Sequence, residues 1–396
     1  MILPTAHVTA QGGRIGTGKF KVIPRLTIRE VHDDNIYRGN GTNNAGEREV
    51  SDWITHVIPA IGLHYRFRQR GGLSLGFEGN HAHYCENHAN DWDAHKAVFN
   101  LGYQAPGGLI LGINNIHTET EDPYGSPEQY GIGLKAERWT HAFMGKIGYD
   151  FGNRLKILFF CNSYEQEYYH FEGSPYNYFS GELGFGLETR VLPKTSAFVR
   201  YHFGHRDYFS HYATPADEFT DSDFRRFRVN AGLTWDTGAK VTGELNFGHQ
   251  WIYYDNDIDA WWNEYPDRNT WIASTNVAFQ AGPNTMLALT FERIPREARC
   301  DRSEYFVETG LEMSLEQVIR RKTTLTVGGA CSHDRFYLPA NNARKDDNYM
   351  ANIRLDYRPR DWLTAALGYS YGRKDSNYAA NDYTDNRFMI SLSAVY

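Results

Sequence analysis

NRFMISLSAVY, residues 386–396, ends the chain as a strand with two unlike faces. Phe388, Ile390, Leu392, Ala394 and Tyr396 fall on one face, and Ser391 and Ser393 on the other. A strand that is apolar at every second residue and closes on an aromatic reads as the last strand of a barrel lying in lipid. Phe388, Ile390, Leu392 and Tyr396 then form the C-terminal signal that barrel assembly machinery would read.

The same alternation runs back along the chain. Leu363, Ala365, Leu367, Tyr369 and Tyr371 share a face, as do Tyr349, Ala351, Ile353, Leu355 and Tyr357, with Asn352, Arg354 and Asp356 between the latter. A short turn at Pro359-Arg360 joins these two runs, whereas 374–383 is long and polar. Further short turns are expected near Arg320-Arg321, Gly282-Pro283, Thr237-Gly238, Leu192-Pro193, Gly152-Asn153, Ala105-Pro106 and Gln69-Arg70-Gly71. Short turns on one side and long loops on the other are the habit of bacterial outer-membrane barrels, the short side being periplasmic. The segments between them predict eighteen strands in a single up-and-down antiparallel barrel over 19–396, with sixteen or twenty as alternatives. The third, fifth and sixth of these strands are expected near 72–85, 108–117 and 132–151. Residues 1–18 read as a periplasmic or lumenal segment, and both termini as periplasmic.

Composition agrees with that architecture. The 396 residues are 41% apolar and 15% aromatic, with 27 Tyr, 23 Phe, 9 Trp and 37 Gly, and the mean hydropathy is −0.59. No run of about 18 apolar residues is present, so a spanning helix is excluded. A wide barrel with a hydrophilic lumen and loops accounts for a polar mean alongside an aromatic excess. Tyr65, Phe67, Tyr103, Tyr149, Trp235, Phe279, Tyr357 and Tyr396 sit next to short turns or the C-terminus, and Trp53, Trp139, Trp251 and Tyr371 sit near long loops. Two such belts match the interfacial girdles of a bilayer protein, with outer-membrane lipid and lipopolysaccharide as neighbours. The net charge of −7 and the lack of long basic runs argue against nucleic acid. Cys85, Cys161, Cys300 and Cys331 form no CxxC, so no zinc knuckle or c-type haem is signalled, and no cofactor is expected. Cys161 and Cys331 lie in strand-like runs, where a small buried thiol is the expectation. No Lys or Arg precedes Arg14, so the numbering reads as that of a processed chain without a leader.

Residues of the opposite phase are expected to line the lumen. The candidates are Arg66, Glu78, Lys96, Lys146, Arg200, His202, Arg226, Arg228, Glu244, Glu308, Glu312, Arg354 and Asp356, among Ser, Asn, Thr and Gly. A barrel of this strand number is too wide for side chains to fill. Its mixed charges would pair across the wall and set an inner field that selects what passes.

Constellations that resemble active or metal sites are weak. His81, His83, Cys85 and His88 have metal-like spacing but share the phase of Leu73, Leu75 and Phe77, which points outward. Asp255, Asp257 and Asp259 lack the Gly and Glu that a calcium loop requires. Trp261, Trp262 and Tyr265 could stack on sugar rings, with loop packing the alternative. No GxSxG, nucleotide loop or poised carboxylate pair occurs, so no catalytic residue is assigned and an enzyme is not expected.

More specific words stand in the first strands. Val31-His32-Asp33-Asp34-Asn35-Ile36 ends the first, Ser51-Asp52-Trp53-Ile54 leads to Pro59 in the second, and Gly72-Leu73-Ser74-Leu75-Gly76-Phe77 opens the third. Together they resemble the β-barrel porins found with exopolysaccharide and capsule secretion clusters, most clearly over residues 19–170. That resemblance implies an outer-membrane exit channel for a polysaccharide, working with periplasmic export components. It carries no catalytic motif, and the matching positions Asp33, Asp34, Asn35 and Asp52 would sit at the extracellular rim, ordering the first loop through bonds to nearby backbone. The alternatives are a general or solute-selective diffusion porin with an inward constricting loop, a sheath around a periplasmic electron carrier, and a surface hydrolase.

Overall fold

The computed structural model describes residues 19–41, 49–67, 70–122, 135–152, 155–169, 177–209, 223–235, 240–255, 267–297, 305–337 and 344–396. Segment 1–18, Gln69, Asn153, Thr237, Gly238, Asp257, Asp259, Trp261, Trp262, Tyr265 and Cys300 lie outside them. Eighteen strands close one antiparallel barrel. They are β1 (Phe20–Asp33), β2 (Asp52–Arg66), β3 (Gly71–Tyr84), β4 (Trp92–Gln104), β5 (Leu109–Asp122) and β6 (Ala136–Asp150). There follow β7 (Leu155–Tyr168), β8 (Tyr178–Leu192), β9 (Thr195–Tyr208), β10 (Phe224–Trp235), β11 (Val241–Tyr254) and β12 (Arg268–Gly282). The last six are β13 (Thr285–Glu297), β14 (Tyr305–Arg320), β15 (Thr323–Tyr337), β16 (Lys345–Arg360), β17 (Leu363–Ser376) and β18 (Tyr383–Val395). Each strand pairs with its neighbours in sequence, and β1 closes on β18 from Arg25 opposite Val395 to Asp33 opposite Arg387.

The period of two sorts the side chains as the sequence predicts. Ile28, Ile61, Phe77, Phe159, Leu183, Val199, Leu367 and Ile390 stand exposed on the outside, Leu183 at 61%. Such a continuous apolar surface is stable only against hydrocarbon. Aromatic pairs rim it at the short-turn end, with ring centroids 5.4 Å apart for Tyr65 and Phe67 and 4.8 Å for Tyr149 and Phe151.

Three expectations are corrected. The expected fifth strand covers 108–117, but β5 runs on to Asp122, Thr118 to Glu121 pairing with Glu137 to Thr140 of β6. Its apolar alternation stops where the wall rises above the apolar belt, while the backbone ladder continues. Several short turns fall one or two residues later than expected: the β16–β17 turn is Asp361-Trp362, not Pro359-Arg360. A register shift between Tyr357 and Arg360 absorbs the extra residues and accommodates Pro359, which has no N–H to donate. Equivalent shifts precede the β8–β9, β12–β13 and β14–β15 turns. Finally, Cys161 and Cys331 are exposed rather than buried. They share the phase of Phe159 and Val327, which faces away from the barrel interior.

At the long-loop end the described start of the first connection, around Ile36, folds inward. Ile36 packs with Ile54, Ala82 and Tyr84, all buried, against Val31, Tyr37, Val50 and Trp92. Ile54, Ala82, Tyr84 and Trp92 belong to the inner face of β2–β4, so this small core lies inside the mouth. Burying Ile36 there stabilises the fold of the loop by about 1.5–3 kcal/mol.

Candidate lumen site

The inner face of β6–β11 is a basic wall built on rings. Glu182 of β8 is 8% exposed and receives Arg226 and Arg228 of β10, each at 2.9 Å, with His202 of β9 at 3.1 Å. Asn162 of β7 donates to it at 3.2 Å. Two residues along β9 toward the short turns, Arg200 holds both oxygens of Glu244 of β11 at 2.8 Å, and its guanidinium lies 3.8 Å over the Phe198 ring. Arg206 lies 4.1 Å over Tyr178 and 5.1 Å over Phe224. Inward rings continue around the wall, Tyr164 to Tyr178 at 5.6 Å and Tyr178 to Tyr208 at 5.5 Å. Bidentate carboxylate pairing and ring stacking both suit guanidinium, so these groups are anchored along the wall.

A second stretch, the inner face of β13–β15, carries the opposite sign. Glu292, Glu308, Glu312, Glu316 and Asp334 share it with Arg296, which bonds Glu308 and lies 3.1 Å from Glu292. The lumen is therefore electrically polarised around its circumference.

The other sequence-predicted residues are also on the inner face. Glu78 pairs with Arg25 of β1, and Arg354 grips Asp356 at 2.8–3.1 Å. Arg66, Lys96, Lys146 and Glu312 carry no ion pair among the described residues. The outward His81, His83 and His88 do not gather around a common point: His81 bonds Asp93 at 2.7 Å, while His83 and His88 face Asp91 at 3.5 and 4.0 Å.

The matching positions of the first strands form a clasp. Asp34 accepts from the Asn386 backbone N–H and side-chain amide, both at 2.7 Å, and Asn35 donates to the Thr384 carbonyl at 2.9 Å. The first loop is thus tied to the last strand across the closing seam. Asp52 accepts from the backbone and side-chain N–H groups of Asn87 at 2.8 and 2.9 Å, tying β2 to the connection after β3. Asp33, Asp34 and Asp385 bring one oxygen each within 4.8 Å of one another, a spacing open to a hard cation. Arg387 occupies that role instead, 2.9 Å from Asp33 and 2.6 Å from Asp385.

Next to the clasp, the inner face of β14–β17 is hollowed into a recess of about 270 Å³. Gly310, Ala330, Ser332, Ser370 and Gly372 leave the space, with Asn348 and Met350 also lining it, Arg38 and Arg387 at one edge and Glu308 at another. Sequence reading missed Arg38, Arg206, Glu182 and the recess. The one available signal was a run of small residues in the inward phase of neighbouring strands.

Among solved structures, the chain is similar to OccAB4 of Acinetobacter baumannii, at 11% identity and TM-score 0.47, over 98% of this chain and 100% of that one. It is similar also to OpdK of Pseudomonas aeruginosa, at 12% identity and TM-score 0.45, over 95% and 99%. Against the FrpB iron transporter of Neisseria meningitidis the identity is 11% and the TM-score 0.48, over 91% of this chain but only 62% of that one. No curated protein matches the chain. The family model described as "Putative beta-barrel porin 2" matches residues 8–396, nearly the whole length. With its apolar exterior, charged lumen and eighteen closed strands, the chain belongs to that family of outer-membrane β-barrel porins.

Proposed function

We propose that this porin is the outer-membrane exit passage for a polysaccharide, acting by transport rather than catalysis. The observation that carries the reading is the β6–β11 wall, where Arg200 and Arg206 lie over inward-facing rings and Arg200, Arg226 and Arg228 are steadied by carboxylates. Aromatic faces suit the C–H faces of sugars, and guanidinium edges donate to hydroxyl and carboxylate oxygens. Many weak contacts spread along a wet wall let a chain slide, whereas one deep site would hold it. In this reading the long loops face outward from the cell, both termini are periplasmic, and periplasmic export components deliver the polymer. Lipopolysaccharide surrounds the long-loop rim, and the assembly machinery reads the strand ending at Tyr396.

A diffusion porin is the second reading, favoured by the inward fold of the first loop around Ile36. Two measurements separate them. Deletion of the gene should abolish release of polysaccharide to the medium, with polymer retained in the periplasm, and restoring it should recover release. Purified barrel in liposomes without partners should admit small solutes slowly. Rapid solute uptake together with normal polymer release in the deletion strain would overturn the export reading in favour of diffusion.

A further inference from the structure

We infer that the recess on the inner face of β14–β17 is a binding site for one acidic sugar residue, a uronate-type unit whose carboxylate is received by Arg38. The inference rests on the export reading for its biological sense and on the recess itself for its chemistry.

Arg38 stands apart from its surroundings. It is the one non-glycine described residue with a left-handed backbone, φ +53°, a strained conformation that persists only where surrounding contacts impose it. The imposing contacts are visible: its N–H donates to the Asn35 carbonyl at 3.0 Å, and Asn35 bridges Gly39 and Thr384. The clasp thus swings the Arg38 side chain over the Tyr383 ring, 5.6 Å from its centroid, to the edge of the recess. Arg387, beside it, is already engaged by Asp33 and by Asp385, which also lines the recess. Arg38 has no carboxylate within ion-pair distance among the described residues, so its fork of donors is available to an incoming anion.

Size and polarity define that anion further. At about 270 Å³ the recess is at the small end of ligand sites, with room for a single ring and not for a folded stretch of polymer. Its floor offers the Ser332 and Ser370 hydroxyls and the Asn348 amide, groups that both give and accept hydrogen bonds, as a ring of hydroxyls requires. Asn348 already donates to Ser332 at 3.1 Å and to Asp334 at 2.8 Å, which fixes its plane and leaves its carbonyl oxygen to accept. Glu308 at another edge repels a carboxylate, whereas Asp385 is held by the Arg387 guanidinium at 2.6 Å, so the bound unit is oriented with its acid group toward Arg38 and its hydroxyls toward β14 and β15. A neutral sugar would find the floor but not the charge-assisted anchor.

The test is ion-current block of the purified full-length barrel in a planar bilayer, with trigalacturonate and maltotriose as probes. Trigalacturonate should interrupt the current at lower concentration than maltotriose, and Arg38→Ala should weaken its block at least about tenfold, the loss expected for one charge-assisted bond. Arg225→Ala removes the same charge from the outer face of β10 and should leave the preference in place. Ser370→Phe, which fills the recess without touching the clasp, should abolish the preference even if Arg38→Ala disturbs the loop. A heat-induced shift in gel mobility verifies that each variant is a closed barrel. Equal block by both sugars, or equal effects of Arg38→Ala and Arg225→Ala, would overturn the site. Acid-selective block alongside unaltered polymer release by a deletion strain keeps the site and removes the export reading. Lost release without acid-selective block does the reverse.

Discussion

Asp34 shows how a short motif does structural work at a distance. It sits 352 positions from Asn386, yet two of that residue's N–H groups end on its carboxylate. Asx side chains readily bond backbone nearby in sequence, which is why these positions were expected to order the first loop. The barrel closes on itself, so the nearby backbone turns out to be the other end of the chain. Asp34→Ala should therefore weaken the closing seam, leaving two N–H groups without that acceptor, at a cost of about 1–3 kcal/mol. Urea unfolding in detergent micelles should show the midpoint falling, with β-sheet circular dichroism unchanged before the transition. An unaltered midpoint would mean that the loop and not the seam is what Asp34 serves. Little of this was legible in advance: neither Arg38 nor Glu182 carries a local signal, because loop residues have no period and an ion pair between β8 and β10 depends on register across β9.

At the scale of the strand, the sequence was legible wherever a period of two met a single medium. Each strand alternates because one face meets hydrocarbon and the other water, and that contrast holds through the apolar belt. It fails at strand ends, where both faces are polar: β5 continues through His117-Thr118-Glu119-Thr120-Glu121 with no change of side-chain character to reveal it. It fails also at the hairpins, where bulges move the turn without disturbing the alternation on either side. Glycine marks other corners. Gly108, at φ +97°, lies just before β5 where a Cβ would stand 2.1 Å from the Asp150 carbonyl oxygen, so only glycine fits beside β6 there. The phase of β16 gives a direct check. Ile353 is 46% exposed on the outside, while its neighbour Asn352 faces inward beside Gly328. Ile353→Arg should destabilise the inserted barrel by about 2–4 kcal/mol near the bilayer midplane, and Asn352→Arg should insert normally while altering ion selectivity. Refolding yield into lipid vesicles, read by heat-modified gel mobility, separates the two. A reversed order would invert the faces of every strand registered to β16.

Taken as a whole, the molecule is a closed cylinder whose exterior is uniform and whose interior is not. Cations gather on the inner faces of β6–β10 and carboxylates on those of β13–β15, with the more neutral β12 between β11 and the acidic stretch. A lumen too wide to fill with side chains leaves these walls separated by water, so their influence on a passing ion is a field and not a contact. Such a field is screened over about 30 Å at 0.01 M salt and about 3 Å at 1 M. Glu312, on the acidic stretch and without an ion pair among the described residues, samples that field without a local partner to complicate the result. Glu312→Gln should raise the preference for chloride over potassium, read as a shift in reversal potential across a salt gradient, and the shift should shrink as both sides are raised toward 1 M. A shift of the same size at every salt concentration would place Glu312 in direct contact with the permeating ion, and would mean that a narrow passage beside β14, and not a polarised wide lumen, controls what passes.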